Sequence, residues 1–233
     1  MAFTPHLIPT ESLRLLVFDL DGTLIDSRKD LANSVNATLA HLGRTELPEE
    51  VIASYIGDGA GMLVRRALGD PDDEGHVEAA LSYFLDYYRE HKLDNTHVYP
   101  GVMESLEALS REGESRKMAV LTNKPIGPST AICDALGLSP YFFRIYGGNS
   151  FSTKKPDPQG LNMLMHEAGA DPFETVMIGD SDVDVLTARS AGAWALACRF
   201  GLSPHTLDAA EPDCLVDTAS DWTEALDAAK ING

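Results

Sequence analysis

The sequence predicts an α/β protein in which a parallel sheet is covered by helices and an all-helical insertion follows the first strand. Three observations carry this expectation. Short apolar runs bounded by turn signals recur at 13–20, 118–122, 142–147, 175–178, 193–200 and 214–216, and their lack of polar alternation is that of strands buried on both faces. From the second run onward they alternate with helical patterns, the order of a parallel sheet with helical crossovers. The first run breaks the rhythm, because residues 21–117 separate it from the second, far more than an ordinary connection.

Each element follows from local signals. The first strand ends in Val17-Phe18-Asp19-Leu20-Asp21-Gly22, where glycine permits a sharp turn. The insertion is expected over 27–97, leaving 1–26 and 98–233 as the α/β core. Within it, Leu31, Val35, Leu39 and Leu42 form one helical stripe, and Val77, Leu81, Phe84, Leu85 and Tyr88 another. Asp94-Asn95 and Tyr99-Pro100-Gly101 close it. Two crossings of the chain make a hinge, so the insertion is expected to move as a lid over the sheet. The remaining helices are expected at 102–112, 128–136, 158–168, 182–191, 204–210 and 221–230, several opening at Ser, Asp or Pro and closing at Gly.

Composition narrows the function. With 44% hydrophobic and 23% charged residues, the 233-residue chain can bury a substantial core. Its 36 acids against 18 bases give a formal charge of -18, which disfavours nucleic acid as a partner. Seven of those acids lie from Gly201 onward against Lys230 alone, as on a solvated face that aids solubility. No apolar run reaches the roughly 18 residues that span a bilayer, and Met1 to Glu11 lacks the basic start of a leader; no membrane partner is expected. Cys133, Cys198 and Cys214 form no CxxC and no even framework, so they are expected to be buried thiols in a reducing compartment, the cytoplasm. The sequence does not determine an oligomeric state.

The chemistry is carried by acids at strand ends. Asp19 and Asp21, two residues apart, are expected on one side of the chain, where two carboxylates are costly unless a cation or a shared proton relieves them. A turn rich in Asp and Gly is the competing reading. A second group, Gly179-Asp180-Ser181-Asp182-Val183-Asp184, follows another strand; capping and dipole compensation account for Asp182 but leave Asp180 unexplained. If both groups converge, oxygen donors without His or Cys select Mg²⁺, and the seven histidines show no metal-binding spacing. Thr122 and Asn123 end the second strand, with a plain Thr-Asn turn as the alternative. Lys154 and Lys155 stand before Pro156-Asp157-Pro158. Lys155 is the better candidate ligand because the prolines stiffen its backbone, although a solvated charge is the usual state of lysine.

Four segments in order resemble the motifs of the haloacid dehalogenase superfamily, in its phosphoglycolate phosphatase-like group. They are Asp19-Leu20-Asp21-Gly22-Thr23-Leu24, Leu121-Thr122-Asn123, Lys155-Pro156-Asp157-Pro158 and Gly179-Asp180-Ser181-Asp182-Val183-Asp184. The resemblance implies a Rossmann-like parallel sheet core with the first strand at its centre and a helical cap inserted after it. It also implies Asp19 as nucleophile, forming an aspartyl-phosphate, and Asp21 as general acid and then base. Thr122, Asn123 and Lys155 would bind the transferring phosphoryl group. Mg²⁺ would be held by Asp19, the backbone carbonyl of Asp21, and Asp180, with Asp184 orienting from behind. An acid at Asp21 favours phosphate esters over the halide and phosphonate chemistries of the superfamily, and its membrane ATPases would need spanning segments.

The stretch Tyr55-Ile56-Gly57-Asp58-Gly59-Ala60-Gly61 resembles the substrate loop of the cap in phosphoglycolate phosphatases. Gly57 is therefore a candidate for binding a small anion through backbone amides, and Arg65 or Arg66 for the substrate carboxylate, only one arginine being well placed because adjacent helical residues point about 100° apart; a solvated helix face is the competing reading for each. The expected activity is Mg²⁺-dependent hydrolysis of a small phosphorylated metabolite, 2-phosphoglycolate first. Another small phosphate ester, a pyrophosphatase, a phosphoglucomutase and a catalytically silent binding module remain alternatives.

Overall fold

The computed structural model describes residues 8–111 and 116–226. Strand β1 (Leu15–Phe18) runs into a tight turn in which the Thr23 and Leu24 amides donate to Leu20 O, and the chain leaves the sheet along β2 (Ile25–Asp26). Four helices follow: α1 (Arg28–His41), α2 (Glu49–Ala53), α3 (Ala60–Ala67) and α4 (Glu74–His91). The return strand β3 (His97–Val98) pairs antiparallel with β2, Ile25 opposite Val98. Helix α5 (Val102–Arg111), β4 (Lys117–Leu121), α6 (Ile126–Ala135), β5 (Arg144–Tyr146) and α7 (Gln159–Ala168) come next. The chain ends with β6 (Thr175–Gly179), α8 (Asp182–Ala191), β7 (Trp194–Cys198), α9 (Leu207–Ala210), β8 (Cys214–Val216) and α10 (Asp221–Leu226).

The six long strands form one parallel sheet in the order β5-β4-β1-β6-β7-β8. All six expected strands are present and parallel, so the α/β fold class with its helical insertion is the one observed. Strand β1 is wholly buried. Leu15 and Val17 pack on one face with Ala119, Leu161 and Met177, while Leu16 and Phe18 pack on the other with Val120, Ile178 and Trp222, which is why the run shows no polar alternation. From β1 the chain winds outward first through β4 and β5, then through β6, β7 and β8. The strand order therefore reverses beside β1, and a crevice opens at the carboxyl ends of β1 and its neighbours, where ligands of open α/β sheets bind.

The inserted helices bury the expected stripes. Leu31, Val35 and Leu39 of α1 and Val77, Phe84 and Tyr88 of α4 are buried, with Leu42, Leu81 and Leu85 partly so. A polar clamp holds the two ends of the insertion together. The buried Asp30 carboxylate accepts from Asn95 N at 3.0 Å, Asn95 Nδ2 at 2.7 Å, Thr96 N at 2.8 Å and Thr96 Oγ1 at 2.7 Å. Burial alone would raise its pKa, but the hydrogen bonds from Asn95 and Thr96 outweigh it and hold the carboxyl below its ordinary range.

Some boundaries differ from expectation. Helix α6 starts at Ile126, not Pro128, because Pro125 supplies the extended lead-in and Pro128 sits in the first turn, where no amide is needed. The segment expected as one helix over 204–210 is a 3₁₀ turn, Pro204–Thr206, followed by α9. The expected helix ends at Glu112 and beyond Leu226 lie outside the described residues. Cys133 and Cys198 are buried, but Cys214 is only partly so. Among the described residues, no helix is long and apolar enough to cross a membrane.

Candidate active site

The crevice at the end of β1 collects the acids of both groups. Asp19 follows β1 directly, its amide donating to Ile178 O at 2.8 Å, and Asp180 follows β6, the neighbouring strand. Gly22 makes their approach possible: its φ is +88°, and a Cβ there would lie 2.2 Å from Asp180 Oδ2. Asp180 Oδ2 accepts from the amides of Leu202 at 2.6 Å and Ser203 at 3.0 Å. Asp184 sits in the first turn of α8 and closes a capping box with Ser181, taking its amide at 3.2 Å and its hydroxyl at 2.8 Å.

Lys155 ties these acids together. Its buried ammonium lies 2.6 Å from Asp184 Oδ1 and 2.9 Å from Asp19 Oδ1. Burial pulls its pKa down, but Asp184 and Asp19 more than offset that, so the net direction is upward and Lys155 stays charged. Burial pushes Asp19 up to about 6, opposed by Lys155 and reinforced by Asp184 and Asp21. Asp180 is raised well above its ordinary value, first by burial and then by Asp184 and Asp19.

Ligand oxygens of Asp19, Asp180 and Asp184 lie within 4.8 Å of one another, all three residues buried. One lysine cannot balance three carboxylates at this spacing. The raised acids and the oxygen-only donor set fit a hard divalent cation.

Asp19 and Asp21 face one small cavity, of about 40 Å³, also lined by Thr122 and Asn123, and roughly large enough for three waters. The Thr122 hydroxyl accepts from Lys124 N at 3.2 Å and keeps its own proton to donate. Asn123 Nδ2 donates to Gly57 O of the insertion at 3.0 Å and to Lys155 O of the core at 3.1 Å, fastening one to the other. Gly57 lines the cavity, with Leu31, Ile56, Leu63, Phe84 and Leu85 as its apolar wall.

Arg65, expected at the substrate, is not brought there. Its Nη1 donates to Pro71 O at 2.9 Å and its Nη2 pairs with Glu74, while Arg66 pairs with Asp58. Each guanidinium finds a carboxylate on the insertion itself, and α3 turns Ala60 and Leu63 toward the cavity.

Two contributors were not visible as site residues in the sequence. Lys124 is buried, with Nζ 3.0 Å from both Asp21 oxygens and 4.7 Å from the centroid of the Tyr88 ring. Ser27 Oγ also donates to Asp21 Oδ1. Burial disfavours the Lys124 charge, but Asp21 outweighs it and raises its pKa. Lys124 stands in the segment read for Thr122 and Asn123, where a solvated lysine is the default. Only the fold reveals that α4 covers it.

Paired acids after two adjacent parallel strands, a buried lysine between them and a helical insertion over the cavity define a hydrolase of the haloacid dehalogenase type. The haloacid dehalogenase-like hydrolase family matches residues 16–198, and the chain belongs to it. Phosphoglycolate phosphatase 1 of Pseudomonas aeruginosa is 40% identical over 224 residues, covering 93% of this chain and 80% of that protein. The phosphoglycolate phosphatase of Vibrio parahaemolyticus is 34% identical over 223 residues, covering 93% of this chain and 97% of the other. A crystal structure from Haemophilus somnus, described as a predicted phosphoglycolate phosphatase, superposes with a TM-score of 0.85 at 31% identity, covering 91% of this chain and 97% of that one.

Proposed function

We propose that this chain is a Mg²⁺-dependent phosphoric monoester hydrolase that cleaves 2-phosphoglycolate through an aspartyl-phosphate on Asp19. The observation that carries this reading is the Asp19 carboxylate, held at 2.9 Å by Lys155 at the end of a cavity that Asp21 also lines. The names of the relatives supply the substrate. The cavity suits it, because about 40 Å³ leaves room for a leaving group of only a few heavy atoms. The insertion, over 27–97, acts as a cap that excludes water, with the Asn123 to Gly57 bond as one of its latches.

In this mechanism an Asp19 oxygen attacks phosphorus and the ester P–O bond breaks. Asp21 gives its proton to the departing alkoxide. Water then attacks the phosphoryl group on Asp19, Asp21 takes the proton, and inorganic phosphate leaves. Thr122 and Lys155 hold the phosphoryl oxygens, and Asp184 positions Lys155 through its 2.6 Å contact. Asp19, Asp180 and the main-chain carbonyl of Asp21 would hold Mg²⁺, which when bound supplies charge neutralisation at the phosphoryl oxygens. The reaction is placed in the cytoplasm, in keeping with three cysteines without a disulfide framework, on a small-molecule substrate, the acidic balance of the chain disfavouring nucleic acid.

A panel of small phosphate monoesters, assayed with and without Mg²⁺ and ranked by kcat/KM, tests the reading. 2-Phosphoglycolate is expected among the best. Another ester well ahead of it would overturn the substrate, and turnover independent of divalent cation would overturn the chemistry.

Metal binding also has a thermal signature. A carboxyl whose folded pKa lies above its unfolded value binds more protons when folded, so its contribution to stability falls as pH rises. For Asp19 the window runs from its ordinary 3.8 to about 6. Mg²⁺ competes with those protons and relieves the repulsion between ionised acids. At ~100 times its Kd it is expected to raise Tm by about 5 to 10 °C at a pH above the window, and by less near pH ~5. A calorimetric shift that is equal or larger at the acid end would contradict the assignment.

A further inference from the structure

The phosphoryl end of the cavity has its own cation, Lys155, placed behind Asp19. A second buried lysine stands on the insertion side of the same cavity, where the proposed mechanism gives it no task. Among the described residues that line the cavity, Lys124 is the one cationic side chain. An ammonium carries three N–H donors. Asp21 offers both oxygens to Lys124 at 3.0 Å, and the remaining face of the ammonium is turned to the Tyr88 ring. Tyr88, from α4, lines the cavity too, and among the described residues its buried hydroxyl meets no partner in hydrogen-bonding geometry, although Lys124 acts on it electrostatically. A buried hydroxyl without a partner is costly in a finished fold. Here it is a second donor on the same wall as the ammonium. Around both lie the aliphatic side chains of Leu31, Ile56 and Leu63, a surface suited to a methylene and not to a polyol.

We propose that Lys124 and the Tyr88 hydroxyl form the subsite for the carboxylate of the leaving group, selecting phosphorylated small hydroxy acids over uncharged phosphate monoesters of the same size. The inference rests on the phosphatase reading and deepens it. One carboxylate oxygen would take the third Lys124 N–H, drawing it off the Tyr88 ring, and the other the Tyr88 hydroxyl, with the single carbon between acid and ester against the aliphatic wall. Lys124 would then touch both the substrate acid and Asp21, and recognition of the leaving group would be built beside the residue that protonates it.

The test compares kcat/KM for 2-phosphoglycolate with that for its amide, which keeps the shape and loses the charge, in the wild type, Lys124→Met and Tyr88→Phe. The ratio is the readout, so a general fall in turnover through Asp21 cancels. The wild type is expected to prefer the acid. Lys124→Met should lower the ratio by roughly 10- to 100-fold and Tyr88→Phe by roughly 3- to 10-fold, the sizes for charged and neutral hydrogen bonds. Because Tyr88→Phe removes a hydroxyl without a hydrogen-bond partner among the described residues and keeps the ring against Lys124, its Tm should be unchanged or higher. It therefore decides the matter even if Lys124→Met fails to fold. An unchanged ratio in Tyr88→Phe and in any folded Lys124→Met, with both esters falling together, would overturn the subsite and leave Lys124 as a positioning residue for Asp21. A wild type that cleaves the amide as fast as the acid overturns the subsite while the phosphatase reading stands. Cleavage of neither ester overturns both.

Discussion

Asp19→Asn is expected to lower kcat/KM for the phosphate ester by about 10⁴-fold or more, the scale on which removal of a covalent nucleophile is felt. The substitution preserves shape. What it removes is the charged oxygen that Lys155 holds at 2.9 Å, leaving an amide that is a far weaker nucleophile toward phosphorus. It also removes one of three crowded buried acids, so the metal-free variant should unfold at a higher temperature than the metal-free wild type above pH ~6. Loss of activity with a raised Tm separates a missing nucleophile from a damaged fold. Residual turnover within about tenfold of the wild type, measured on protein free of wild-type contamination, would exclude Asp19 as the attacking group.

Asp21→Asn is expected to cost roughly 10²- to 10⁴-fold in kcat/KM for an alkyl ester such as 2-phosphoglycolate, the usual worth of a positioned general acid. The loss should shrink when the leaving group is an aryl oxide, which departs without a proton. The geometry supports this division of labour. Asp19 is directed to Lys155 and the acid cluster, whereas Asp21 is held by Ser27 and Lys124 on the insertion side of the cavity, where the leaving group lies. Equal losses of kcat/KM on alkyl and aryl esters would show that Asp21 does not protonate the leaving group, since kcat/KM leaves out the later water attack in which Asp21 acts as base.

Much of this arrangement was legible in the residues. Buried parallel strands declare themselves because both faces need apolar side chains, as at Leu15, Leu16, Val17 and Phe18, and acids at the ends of such strands stand out against that background. The order of strands in the sheet was not readable, since register depends on packing between segments far apart in the chain. Nor were the two-residue strands β2 and β3, which are too short to show a period. The site was legible where a motif named its residues and obscure where tertiary contact decided. Lys124 becomes part of the cavity only because α4 brings Tyr88 over it. Arg65 is held away from the expected site by Glu74 and Pro71 O. Helix periodicity could not foresee either, since both depend on how the insertion folds back on itself and on the core.

If Asp19 carries the phosphoryl group, borohydride trapping detects it during turnover. Rapid quenching of the enzyme during turnover of 2-phosphoglycolate with Mg²⁺, followed by reduction, converts an aspartyl-phosphate to homoserine, which peptide mass spectrometry locates. Homoserine is expected at position 19, dependent on substrate and absent from Asp19→Asn. Homoserine at another acid, or none at position 19 while turnover proceeds under the same conditions, would contradict it.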